Sequence, residues 1–212
     1  MNPHRKLISR FVAPAAVVLA LSASHATVFA SGAASAAALS AIHIDNFAKV
    51  DDSYYRGAQP DRSDYGDLSK LGVKTVIDLQ SDGSPREKGL VEAAGMAFYR
   101  IPLTTSERPP EAAVKQFLSI VNDRAKQPVY VHCAGGQHRT GVMTAVYRMT
   151  KYAWTEDKAY DEMKQYKFET FFGHPELRNF VHDFYAKLTP VASQVVAAAP
   201  LPAVGSARLA AN

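Results

Sequence analysis

Two short runs, residues 73–79 (VKTVIDL) and 127–132 (QPVYVH), most narrow what this chain can become. Both are rich in β-branched and apolar side chains, the composition of strands covered on both faces. Such strands need helices on either side of their sheet, and the rest of the chain supplies them. Residues 63–71 and 85–94 carry helical patterns that stop at Gly72 and Gly95. Residues 110–125 open with proline and place Val114, Phe117, Leu118 and Val121 at helical spacing. Further helices are expected over 140–152, 155–166 and 175–188. Residues 96–101 read as another strand, and 47–50 and 54–56 as a short pair around the turn Asp51-Asp52-Ser53. The alternation predicts an α/β fold, a single domain with a central, largely parallel sheet flanked by helices. Ligands of such sheets bind beyond the carboxyl ends of the strands, and Cys133 directly follows one of those ends.

The folded domain is expected over residues 42–188, since 212 residues are too few for two well-filled cores. Ahead of it, Arg5, Lys6 and Arg10 precede an uncharged stretch centred on Val17, Val18, Leu19 and Leu21, with small residues for cleavage at Ala26 or Ala30. Residues 1–30 thus have the layout of a secretory signal peptide, and 31–41 that of a small-residue linker. A periplasmic or secreted protein is expected, with no stable membrane span after cleavage. Residues 189–212, mostly Ala, Pro and Val, read as a disordered tail.

The single cysteine excludes an internal disulfide framework and any multi-cysteine metal site, and no cofactor or metal is expected. The formal charge is +4, but setting aside residues 1–30 leaves 21 Lys+Arg against 20 Asp+Glu. That balance argues against a broad nucleic-acid-binding surface.

The most informative segment is His132-Cys133-Ala134-Gly135-Gly136-Gln137-His138-Arg139-Thr140-Gly141. A buried strand delivers a cysteine to a tight turn, and two glycines let the backbone bend so that successive N–H groups point inward. A helix then begins near Arg139, and its N-terminus is positive. The expected product is a cradle for a tetrahedral anion, with Arg139 adding a two-pronged contact to its oxygens. The same field favours thiolate over thiol at Cys133, and a thiolate facing a bound phosphate is set for displacement at phosphorus.

This Cys-x5-Arg segment, preceded by His and followed by Thr-Gly, resembles the active-site signature of the cysteine-dependent protein tyrosine phosphatase superfamily. Tyr54-Tyr55-Arg56-Gly57-Ala58-Gln59-Pro60 and residues 71–79 (LGVKTVIDL) resemble segments of its small dual-specificity-like members, the bacterial and the plant-and-fungal atypical groups. The resemblance implies that Cys133 is the nucleophile and that Arg139 binds the phosphate. It implies that the backbone of Ala134, Gly135, Gly136, Gln137 and His138 holds the equatorial oxygens. Thr140 would hydrogen-bond the sulfur, and His132 would orient the loop from below.

The family also uses a general acid on a loop before the cysteine. Here that loop, residues 101–110 (IPLTTSERPP), lacks the usual Asp, and Glu107 is its only carboxylate. Glu107 is therefore the candidate acid, Asp82 in the loop Ser81-Asp82-Gly83-Ser84 is the second, and a reaction without a protein acid is the third. Arg56 and Lys88 are weaker cleft candidates, read as surface charges.

The resemblance implies an exported phosphatase acting on phosphotyrosine or in a dual-specificity manner, on a phosphorylated protein or a small phosphorylated molecule. The alternatives are an inositol polyphosphate, inositol pyrophosphate or phosphoinositide phosphatase, and a catalytically weak phosphate-binding pseudophosphatase. Relatives of the inositol kind often carry extra loop lysines where this chain has Gln137.

Overall fold

The computed structural model describes residue 39, residues 41–168 and residues 174–197. The expected signal peptide (1–30) and residues 198–212 of the expected tail lie outside the described residues.

Five strands form one sheet: β1 (Ala48–Asp51), β2 (Tyr54–Gly57), β3 (Thr75–Gln80), β4 (Ala97–Leu103) and β5 (Val129–His132). Their spatial order is β1-β2-β5-β3-β4. Only the β1–β2 hairpin is antiparallel; β2–β5, β5–β3 and β3–β4 are parallel. Every residue of β3 and β5 is buried, as their near-continuous apolar runs predict.

Six helices follow the expected order: α1 (Asp64–Lys70), α2 (Glu87–Ala93), α3 (Glu111–Val121), α4 (His138–Tyr152), α5 (Glu156–Gln165) and α6 (Pro175–Ala197). Helix α3 ends four residues short of the expected 125. The Asp123 carboxylate accepts the Ala125 N–H at 2.9 Å, a local bond that competes with helix propagation. Helix α4 starts at His138 rather than near residue 140. Helix α6 runs to Ala197, so residues 189–197, expected as part of an irregular tail, are helical.

Side-chain alternation sorts the strands between two cores. Ile77 and Leu79 of β3 and Val129 and Val131 of β5 pack against α3 and α4 through Phe117, Val121, Met143 and Val146. Val76 and Tyr130 face the opposite way, toward Leu68 of α1 and Val91 of α2. Asp78 and His132, each two residues further along its strand, share that second face at the carboxyl end of the sheet. A third core, with Val142, Ala145, Met163 and Leu177, binds α5 and α6 to α4.

Candidate active site

The parallel strands β5 and β3 deliver Cys133 and residues 81–84 to the same end of the sheet. Cys133 is 3% exposed, at the floor of the turn that leads into α4. Gly136 adopts φ +65°, and a Cβ there would stand 2.4 Å from the Gly57 carbonyl carbon. Only glycine combines that left-handed backbone with that close approach.

Three successive carbonyls of the turn are tied outward by one neighbouring segment. The Gln59 N–H donates to Ala134 O at 3.1 Å. Asn46 Nδ2 donates to Gly135 O at 2.7 Å, and Arg56 Nη2 donates to Gly136 O at 2.7 Å. In a planar trans peptide the N–H points opposite to the C=O. Fixing these carbonyls therefore turns the N–H groups of Gly135, Gly136 and Gln137 toward the interior of the turn. The first helical bond of α4 is Gly141 N–H to Gln137 O at 2.9 Å, and no side chain caps the helix start. The preceding amides are the unspent donors that every helix N-terminus leaves.

Two further donors are held dry. Arg139 Nε and Thr140 Oγ1 are buried without a hydrogen-bond partner among the described residues. The hydrogen bond from Thr140 to the Cys133 sulfur, which the resemblance implies, is thus not made here. Burying an unpaired donor costs about 1–3 kcal/mol, a cost that an anion in the turn would remove. The other arm of Arg139 is occupied: Nη1 donates to Leu103 O at 3.3 Å and lies 3.4 Å from Asp82 Oδ1.

Asp82, 80% exposed at its side chain, is thus the carboxylate brought against Arg139. Glu107, the first candidate acid, is exposed, and its contacts are with Thr104, 3.5 Å from the hydroxyl and through its own N–H at 3.2 Å. Among the described contacts none joins Glu107 to Cys133 or Arg139. Its loop is fastened to α6: His174 Nδ1 meets Thr105 O at 2.8 Å, and Arg108 bridges Glu176 and Asp183.

His138 is half-buried at the rim, its ring 4.1 Å from that of His174 and 5.4 Å from Phe168. Burial, with the neighbouring His174 and Arg139, pushes its pKa down to about 4. It is neutral at pH 7 and adds no charge to the loop.

Beneath the turn lies a buried polar network. His132 Nε2 stands 2.8 Å from Glu87 Oε1, both side chains essentially inaccessible. Glu87 also accepts from Tyr65 Oη and Gln59 Nε2, each at 3.0 Å, and Arg100 bridges it to Asp78. Burial alone would raise the Glu87 pKa, but the adjacent His132 and the bonds from Gln59 and Tyr65 outweigh it and hold the carboxyl down to about 2. Asp78 moves the opposite way, raised first by burial. Asp78, Glu87 and His132 bring one ligand atom each within 4.8 Å of one another. The Arg100 guanidinium already lies on both carboxylates, which makes this an ion-pair network rather than an open cation site.

Sequence reasoning singled out Cys133 and Arg139, which the structure brings into one turn, but missed Asn46, Glu87 and the His174 contact; Arg56, a cleft candidate read as a surface charge, is 1% exposed beneath the turn. Lys88 is on the surface, 3.8 Å from Glu92. A separate cleft of about 560 Å³ between α3 and α6, lined by Val114, Leu118, Phe180 and Phe184, contains none of the Cys133 turn.

A family model described as DSP-PTPase phosphatase fused to NAD+ kinase matches residues 37–179. The chain is 29% identical over 126 residues to rice (Oryza sativa subsp. japonica) inositol diphosphatase DSP1, an alignment covering 57% of this chain and 56% of that protein. It is 28% identical over 121 residues to the dual specificity protein phosphatase TpbA of Pseudomonas aeruginosa, covering 57% and 54%. The chain therefore spans just over half the length of these relatives. In fold it is similar to the core catalytic domain of the PP-IP phosphatase SIW14 from Saccharomyces cerevisiae, with a TM-score of 0.60 at 23% identity over 73% of this chain and 95% of that one.

Proposed function

This chain belongs to the family described as DSP-PTPase phosphatase fused to NAD+ kinase, and from that membership we propose that it hydrolyses phosphate monoesters through Cys133. The observation that carries the reading is one turn holding Cys133, inward amides and the buried unpaired donors of Arg139 and Thr140. Cys133 Sγ attacks phosphorus and forms an S–P bond as the ester P–O bond breaks. The leaving oxygen takes a proton. Water then attacks the phosphocysteine, the S–P bond breaks, and inorganic phosphate and the thiolate are released. The loop amides and Arg139 hold the three non-bridging oxygens where charge develops, and Thr140 Oγ1 is available to the departing sulfur. We assign the proton donor to Asp82 before Glu107, because Asp82 is exposed and stands 3.4 Å from Arg139 Nη1, while no described contact joins Glu107 to the turn.

For the substrate, a phosphotyrosine or dual-specificity reading fits best. With Cys133 3% exposed, a phosphate reaches it only on a projecting arm. The loop from Ala134 to His138 carries no lysine, and His138 is neutral, which leaves little to bind a cluster of neighbouring phosphates. The second reading, an inositol diphosphate, is favoured by the similarity to the rice inositol diphosphatase. The test compares wild type and Cys133→Ser on para-nitrophenyl phosphate, then on phosphotyrosine peptides, phosphoserine peptides and an inositol pyrophosphate. Turnover by wild type alone, fastest on phosphotyrosine, is expected. Fastest turnover of the inositol pyrophosphate would select the second reading, and equal negligible rates in both proteins would select the pseudophosphatase. We also place the protein outside the cytoplasm; a mature chain beginning after Ala26 or Ala30, found by N-terminal sequencing, is the expected result.

A further inference from the structure

The geometry points to Arg56 as a second fixed cation of the anion site, a positioning residue that both turns the phosphate loop and lends it charge. The inference rests on Cys133 being the nucleophile. Arg56 lies within β2, paired with Val131 of the neighbouring β5, two residues before Cys133. It is 1% exposed. Its Nη2 donates to Gly136 O at 2.7 Å, and its guanidinium sits 3.9 Å from the centre of the Tyr166 ring. Its Nε is buried without a partner among the described residues. Among the described residues no carboxylate forms an ion pair with it.

A guanidinium taken out of water without an acid to pair with is costly to the fold, even with an aromatic face beneath it. A carboxylate at the same place would relieve that cost, and none of the described ones is there. Among the described residues the hydrogen-bonded neighbour of Arg56 is the Gly136 carbonyl, whose peptide unit points the Gln137 N–H into the turn. Burial lowers the pKa of Arg56, while Tyr54, Tyr166, Glu162 and Cys133 act in the opposite sense. The other ionisable groups around the sulfur are differently placed. Arg139 has Asp82 beside it, His132 is opposed by Glu87, and His138 is uncharged at pH 7. Tyr130 is buried and kept protonated. Arg56 thus stands beside Arg139 as a buried cation that no carboxylate pairs with among the described residues.

The test separates the charge from the hydrogen bond. Arg56→Gln keeps an N–H donor and removes the charge, Arg56→Lys keeps the charge, and Asn46→Ala removes one outward tie and no charge. Each is compared with wild type for the pH dependence of Cys133 alkylation by iodoacetamide and for inhibition by vanadate. In Arg56→Gln the alkylation midpoint is expected to rise by about one pH unit and vanadate to bind about tenfold more weakly. In Arg56→Lys and Asn46→Ala the midpoint stays within a few tenths of a unit of wild type. An unmoved midpoint in Arg56→Gln overturns the inference. So does a rise of the same size in Asn46→Ala, which would make loop geometry the cause. Because the buried charge costs stability, Arg56→Gln is expected to melt no lower than wild type. A Gln variant that fails to fold while the Lys variant folds would show that the charge serves the fold, again overturning the inference. If wild type turns over no better than Cys133→Ser, it is the phosphatase reading that fails, not the role of Arg56.

Discussion

Replacing Glu87 by Gln tests how the phosphate loop is held from below. The carboxylate is 1% exposed and collects His132 Nε2 at 2.8 Å, Tyr65 Oη and Gln59 Nε2 at 3.0 Å, and Arg100 Nη2 at 3.5 Å. Its pKa of about 2 in the fold, against an ordinary 4.5, corresponds to about 3 kcal/mol at neutral pH. Asp78 returns part of this, because its own raised pKa includes repulsion from Glu87. The net expectation for Glu87→Gln at pH 7 is a loss of about 2 kcal/mol, or roughly 4–8 °C in Tm for a domain of this size. The folded pKa of Glu87 is depressed, so its contribution is complete above pH 4.5 and is lost as pH falls through about 2. Asp78 has the opposite sign and regains stability on acidification, so the wild-type acid loss is shallower than Glu87 alone would give. Thermal melts by circular dichroism at pH 7, 4.5 and 3 measure both effects. The variant should start lower at pH 7 and converge on wild type as the pH drops. A Gln variant that melts with wild type at pH 7, or that shows the same acid loss, would refute the reasoning.

The remaining predictions concern the loop and its rim. Gly136→Ala combines a left-handed residue with a Cβ 2.4 Å from Gly57, so it should cost at least about 2 kcal/mol and weaken vanadate inhibition by an order of magnitude or more; unchanged inhibition would show that the turn need not hold this shape. His138 has a depressed pKa of about 4, so the fold binds protons less readily there than the unfolded chain and loses stability as pH falls from about 6.5 toward 4. His138→Gln should flatten the urea-unfolding stability profile over that window, and an unchanged slope would contradict the assignment. Asp82→Asn should remove the basic limb of the kcat pH profile on a phenyl phosphate ester of high leaving-group pKa, while Glu107→Gln leaves it in place; the reverse pattern would return the acid role to Glu107.

The chemistry of the site was legible because it is local in the chain. Cys133, Gly136 and Arg139 lie within one turn, and the buried strand before them shows in its apolar run. The parts that shape the turn were not legible, because they arrive from elsewhere in the topology. Asn46, Arg56 and Gln59 reach it only because β2 pairs with β5, a parallel register that no short-range pattern states. In sequence Arg56 is one more charge, and what buries it is the Gly136 carbonyl on one side and Tyr166 on the other. Glu87 reads as an ordinary acid in the first turn of a helix; its burial follows from α2 starting directly beneath His132. The rim pair of His138 and His174 depends on where α6 begins, far along the chain.

The most direct measurement of the central claim is the intact mass of the protein after acid quench during turnover of an aryl phosphate, followed by peptide mapping. A transient increment of one phosphoryl group is expected on the peptide carrying Cys133, absent from Cys133→Ser. Phosphate release by wild type with no such adduct, or with the increment on another residue, would contradict it.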